Sequence, residues 1–231
     1  MTRYEFLMAT AAALAAATAV GAGADRGCPV SANVKGHENQ DWSHSDGYHL
    51  TDALKGLPRV LLVGDSICNA YRDDVRRALE GKVNVTYWTS SYCVTSRGYR
   101  TLLGFYLDEA KYDVVHFNNG LHSLGTDLGQ WEDGLRAAFR LIREKQPQAK
   151  IVWRTITPLK DDALTARVVK MNAIAAKVVA EFGDIAVDDL FAPMNALDRA
   201  KDWGDTYHFR RPAVQAQARQ VAECCLKFAG R

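Results

Sequence analysis

From residue 59 onward the chain alternates between two hydrophobic rhythms. Short, almost continuously apolar runs occur as RVLLV (59–63), VNVTYW (83–88), DVVHFN (113–118), KIVWRTI (150–156) and IAVDD (185–189). Unbroken apolar runs of this length predict strands buried on both faces. Between them lie helical patterns: DDVRRALE, RTLLGFYLDEA, and LGQWEDGLRAAFRLIREKQP, which Pro147 ends. The fourth helix is the clearest, because Leu164, Val168, Met171, Ala175, Val178 and Phe182 recur every three or four residues on one face. A last helix opens at RPAVQAQARQVAECCLKFA, with Pro212 suited to its first turn. Strand and helix alternating five times predict an α/β domain: a parallel sheet of about five strands, helices on both faces and right-handed crossovers.

The first 57 residues lack this rhythm. MTRYEF precedes an uncharged Ala-rich run (7–20), and Ala22-Gly23-Ala24 has the small-x-small form of a signal-peptidase site. Residues 1–24 therefore read as a signal peptide, 25–57 as an irregular arm, and 58–231 as the domain. The apolar run is shorter than the roughly 20 residues a spanning helix needs, so no stable membrane insertion is expected after cleavage. The expected location is outside the cytoplasm, secreted or periplasmic. A net charge of +2, with no basic block, gives no basis for a nucleic-acid partner.

Five cysteines, Cys28, Cys68, Cys93, Cys224 and Cys225, lie beyond the signal, and export permits disulfides. Pairing of Cys28 with Cys224 or Cys225, and of Cys68 with Cys93, is conceivable, and buried reduced thiols are equally open. No cysteine or histidine spacing supports a metal site.

Chemistry gathers at two distant places. Gly64-Asp65-Ser66 follows the first apolar run, and in a parallel sheet ligands bind at the carboxyl ends of the strands. A serine there, at the mouth of a helix, sits beside backbone N–H donors able to hold a negative oxygen. Taken alone, the tripeptide would merely turn the chain and cap a helix. Near the other end, GDTYHFRRP carries Asp205 and His208 just before the last helix. A serine nucleophile needs a base, and the base needs an acid to hold its tautomer; Asp-x-x-His can supply both.

In order, VLLVGDSI and DTYH resemble the SGNH, or GDSL-like, hydrolase superfamily over about 59–228. That resemblance implies a flavodoxin-like three-layer α/β/α sandwich and ester hydrolysis through a serine acyl-enzyme, without metal or organic cofactor. Ser66 would attack, His208 would take and return the proton, and Asp205 would orient His208. Two blocks depart from the family pattern. Where it has Gly-x-Asn-Asp, this chain has Gly120-Leu121-His122-Ser123, a variant with His122 in the Asn position, whose neutral imidazole can donate one N–H. Asn119 is a second possible oxyanion donor. The family's glycine after the second strand has a counterpart in Gly98, although the strand end lies nearer Cys93 or Val94. The expected oxyanion donors are thus Ser66 N–H, His122, and an N–H between Cys93 and Gly98, with Asn119 as the other side chain.

Of the five tryptophans, Trp88 and Trp153 fall in predicted strands, whereas Trp203 stands two residues before Asp205, where a ligand could touch it. The functional expectation is an exported esterase removing a short acyl group such as acetyl from a carbohydrate or related small-molecule ester. A lipase, lysophospholipase or thioesterase of the same fold, and an inactive glycan-binding protein, remain open at this point. Oligomeric state is not legible.

Overall fold

The computed structural model describes residues 45–48 and 53–230. The expected signal peptide, most of the expected arm, and Trp42 lie outside them. Among the described residues six strands form one sheet: β1 (Ser45–Tyr48), β2 (Arg59–Gly64), β3 (Asn84–Ser90), β4 (Val114–Phe117), β5 (Lys150–Arg154) and β6 (Ala186–Asp188), in the order β1-β3-β2-β4-β5-β6. The five from β2 onward are parallel and correspond to the five apolar runs. Their order, second-first-third-fourth-fifth, is that of flavodoxin-like sheets.

One correction concerns the arm. Ser45–Tyr48, within the stretch expected to be irregular, adds an antiparallel edge strand to β3, in register from Ser45 against Ser90 to Tyr48 against Tyr87. SDGY has little strand propensity of its own; pairing to β3 supplies the backbone hydrogen bonds that make it a strand.

The helices are α1 (Ser66–Leu79), α2 (Arg97–Asp108), α3 (Leu128–Lys145), α4 (Asp162–Phe182), two short ones, α5 (Phe191–Asn195) and α6 (Arg199–Asp202), and α7 (Arg211–Ala229). Helices α1 and α7 pack together on one face of the sheet, while α2, α3 and α4 pack in sequence on the other. The sequence patterns for α1 and α2 begin later than the helices do, whereas that for α3 begins at its observed start, Leu128; each of the four long helices from α1 to α4 starts at a capping residue. Asp65 caps α1, Ser96 caps α2, Asp127 caps α3 and Asp161 caps α4, each side chain accepting a first-turn N–H. Gly183 ends α4 at φ 76°, the left-handed conformation glycine adopts without strain.

Burial follows the expected faces. Val60 to Val63 are closed off from solvent, as are Val168, Met171, Ala175 and Val178 of α4. Phe117, Phe139 and Trp153 form an aromatic cluster with ring centroids 5.3 to 5.9 Å apart on the α2–α3–α4 side. Trp88, Trp131 and Trp153 are all core residues.

Candidate active site

The carboxyl ends of β2, β3 and β4 are level, with Gly64 opposite Thr89 and Val63 opposite Phe117. The loops leaving these strands therefore start side by side. Gly64 is needed for close approach: a Cβ there would lie 2.5 Å from the Cys68 Cβ, in the first turn of α1. Asp65 then caps the helix through Ile67 N–H (3.0 Å), and Ser66 becomes its first residue. The N–H of a first helical residue has no intrahelical acceptor, so that of Ser66 is available to a ligand.

The last loop arrives at the same rim. Trp203 and Phe209 form an antiparallel bridge with their tilted rings 4.4 Å apart, Gly204 N–H donates to His208 O (2.8 Å), and Lys160 N–H donates to Thr206 O (3.0 Å). This closure aims His208 outward. Its Nδ1 lies 2.8 Å from Asp205 Oδ2, and its Nε2 lies 2.8 Å from Ser66 Oγ. The Asp205 carboxylate can only accept, so Nδ1 carries the proton and Nε2 is left to accept from the serine hydroxyl. The second carboxylate oxygen of Asp205 accepts from the N–H groups of Tyr207 (2.7 Å) and His208 (2.8 Å). Partial burial pushes the Asp205 pKa up. The hydrogen bonds from the His208 ring and from the two backbone N–H groups outweigh it, holding the carboxyl below its ordinary value. The side chains of His208 and Asp205 are 40% and 58% exposed, so the site is open to water and to bulky substrates.

The remaining candidates take different places. His122 lies half-buried in a 3₁₀ turn (Leu121–Ser123) in the loop after β4, next to the serine loop. Asn119 is 2% exposed and is engaged elsewhere: its Nδ2 donates to Tyr92 O (2.8 Å) and its Oδ1 accepts from Val94 N–H (3.0 Å) and Ser123 Oγ (2.9 Å). Both Asn119 and the Val94 N–H, considered above as oxyanion donors, instead tie the β3 loop to the β4 loop. Gly98 is the second residue of α2 and packs beside the Tyr92 ring. Trp203, expected where a ligand could touch it, is fully buried and anchors the histidine loop from beneath. Arg199 covers its ring at 4.7 Å.

The cysteines also correct the sequence expectation. Cys68, Cys224 and Cys225 are free thiols, and Cys93 is disulfide-bonded, so neither Cys68–Cys93 nor a bridge from Cys224 or Cys225 exists. Burial pushes the Cys68 thiol up to about 12.

Two buried polar arrangements were not foreseen. Arg154, at the end of β5, donates from Nη2 to Asp65 Oδ1 at 3.3 Å, with both side chains essentially closed to solvent (1% and 2% exposed). The signal was visible as an arginine following the apolar residues Ile151 to Trp153, but an apolar-run reading discounts it. His116 Nε2 lies 2.9 Å from Asp188 Oδ2, and Gln220 Nε2 donates to Asp188 Oδ1 at 2.7 Å. With Cys224 these two place ligand-type atoms within 4.8 Å of one another, the one such group among the described residues. The direct His–Asp hydrogen bond already satisfies the pair, and Cys224 belongs to α7.

No family model and no curated protein sequence matches the chain. Solved structures do. A carbohydrate esterase family 3 protein from Talaromyces cellulolyticus superposes with TM-score 0.63 at 15% identity, covering 75% of this chain and 98% of its own. A lipolytic G-D-S-L family member from Veillonella parvula gives 0.60 at 18% identity, covering 71% and 96%. A variant acetyl esterase with an acetate ion gives 0.60 at 14% identity, covering 75% and 98%. The chain therefore has the fold of the GDSL-like, or SGNH, hydrolases.

Proposed function

We propose that this protein is an exported serine esterase that removes a short acyl group, acetyl in the first instance, from a carbohydrate or related ester. The single observation that carries the reading is the unbroken chain Asp205–His208–Ser66, linked by two contacts of 2.8 Å. Ser66 Oγ attacks the ester carbonyl while His208 Nε2 accepts its proton. The resulting imidazolium is stabilised by Asp205, and returns the proton to the leaving alcohol. Water then repeats the sequence on the acyl-enzyme. The tetrahedral oxyanion is held by the Ser66 N–H, by the His122 ring N–H, and by an N–H of the loop after β3 other than that of Val94.

Two observations support a short acyl group and a polar leaving group. The exposed large hydrophobic residues among those described, Leu54, Phe105, Val169, Val187 and Leu226, all lie outside the loops carrying Ser66, His122 and His208, so none of them builds an apolar groove beside the nucleophile. The exposure of the Asp205–His208 pair suits a large hydrophilic substrate. The fold is shared with proteins described as carbohydrate and acetyl esterases. The test is a hydrolysis screen over 4-nitrophenyl esters of increasing length together with acetylated glycans. Preference for acetyl and release of acetate from a glycan are expected; activity rising toward C8 or longer would replace this reading with a lipase.

A further inference from the structure

Asp65 is held from two sides. Its Oδ1 accepts Ile67 N–H at 3.0 Å within α1, and Arg154 Nη2 at 3.3 Å from β5, two strands away from β2. The backbone around this contact is cross-braced. Asn118 Nδ2 donates to Arg154 O (2.7 Å), and Asn118 N–H donates to Val63 O (2.9 Å), so the ends of β2, β4 and β5 are joined beneath Ser66. Burial opposes the charge on Arg154. Tyr71, Asp65, Cys68 and Asp188 around it reverse that effect, so the guanidinium stays charged. A helix cap alone does not need this arrangement, since a neutral Ser or Asn caps as well as Asp. A buried ion pair is also a poor source of net stability compared with apolar packing of the same volume. What a fixed guanidinium adds is direction: it holds the carboxylate that brackets Ser66 in one orientation.

We propose that Arg154 is a positioning residue for ester hydrolysis, orienting the Ser66 hydroxyl and N–H through Asp65. The proposal rests on the reading of Ser66 as nucleophile. It is tested with Arg154→Lys, Arg154→Met and the double variant Asp65→Asn/Arg154→Met, using 4-nitrophenyl acetate turnover and the rate of fluorophosphonate labelling of Ser66, both per folded molecule. Arg154→Met should lower kcat and the labelling rate about 10- to 100-fold, the scale of a small misplacement of reacting groups, with KM within about twofold. Arg154→Lys, which keeps the charge and loses the fork, should fall between it and wild type. The double variant removes both buried charges, so it tests the claim even if Arg154→Met does not fold, and it should remain slow. Folded variants with wild-type kcat and labelling rate, altered only in melting temperature, would overturn the proposal. A wild-type protein that neither turns over nor labels would overturn the nucleophile assignment itself.

Discussion

Ser66 Oγ and His208 Nε2 lie 2.8 Å apart although 142 positions separate them in the chain. The parallel sheet makes this possible, because every strand delivers its following loop to one rim. If the contact is the proton path, Ser66→Ala and His208→Ala should each lower kcat by on the order of 10⁴ to 10⁶, as loss of a triad member does. Melting temperatures should stay near wild type, since both side chains lie at the surface end of the site. Steady-state kinetics beside calorimetry separates the two effects.

His122→Ala should cost less, about 10² to 10³ in kcat, the scale of a single oxyanion donor. Full activity would mean that another group holds the oxyanion. Gly120→Ala approaches the same turn from its backbone: a Cβ there would lie 2.3 Å from Ile156 Cγ1, inside the core. Overpacking of that kind costs about 1–3 kcal/mol. It should also displace the turn carrying His122, so kcat and melting temperature are expected to fall together.

Acid should destabilise the fold through its paired carboxylates. For Asp188, burial raises the pKa, but the hydrogen bonds from His116 and Gln220 and the nearby Arg154 guanidinium together outweigh it, leaving the folded value depressed. Asp205 is depressed by the balance already described. A depressed carboxylate contributes stability above its unfolded pKa of about 3.9 and loses it as pH falls through the folded value. Melting temperature should therefore drop from pH 5 toward pH 3, and less steeply in Asp188→Asn. An equal slope in the variant would remove Asp188 from the acid response.

The thiols should be inert in the native protein. Burial pushes Cys68 and Cys224 up to about 12 and Cys225 well above its ordinary value. Thiolate is the reactive form, so native protein should react very slowly with a thiol reagent. Without reductant, denaturation should make Cys68, Cys224 and Cys225 reactive and leave Cys93 protected. Labelling of Cys93, read by peptide mapping, would contradict its assignment to a disulfide.

The parallel strands and long helices were legible because each is a local pattern, and so were Ser66, Asp205 and His208, which sit in short, ordered motifs at predictable loop positions. What escaped depends on partners far away in sequence. SDGY becomes a strand only beside β3. Asn119 reads as a free amide donor until its partners, Tyr92 and Val94, are known. Trp203 is close to Asp205 along the chain yet turns inward onto Phe209. Arg154 in an apolar strand has meaning only once Asp65, 89 residues earlier, is opposite it.

The most direct test is the intact mass of the protein after exposure to a fluorophosphonate, followed by peptide mapping. A single adduct on Ser66, absent from Ser66→Ala and strongly slowed in His208→Ala, is the predicted result. No adduct on the wild-type protein, or one carried by a different residue, would contradict it.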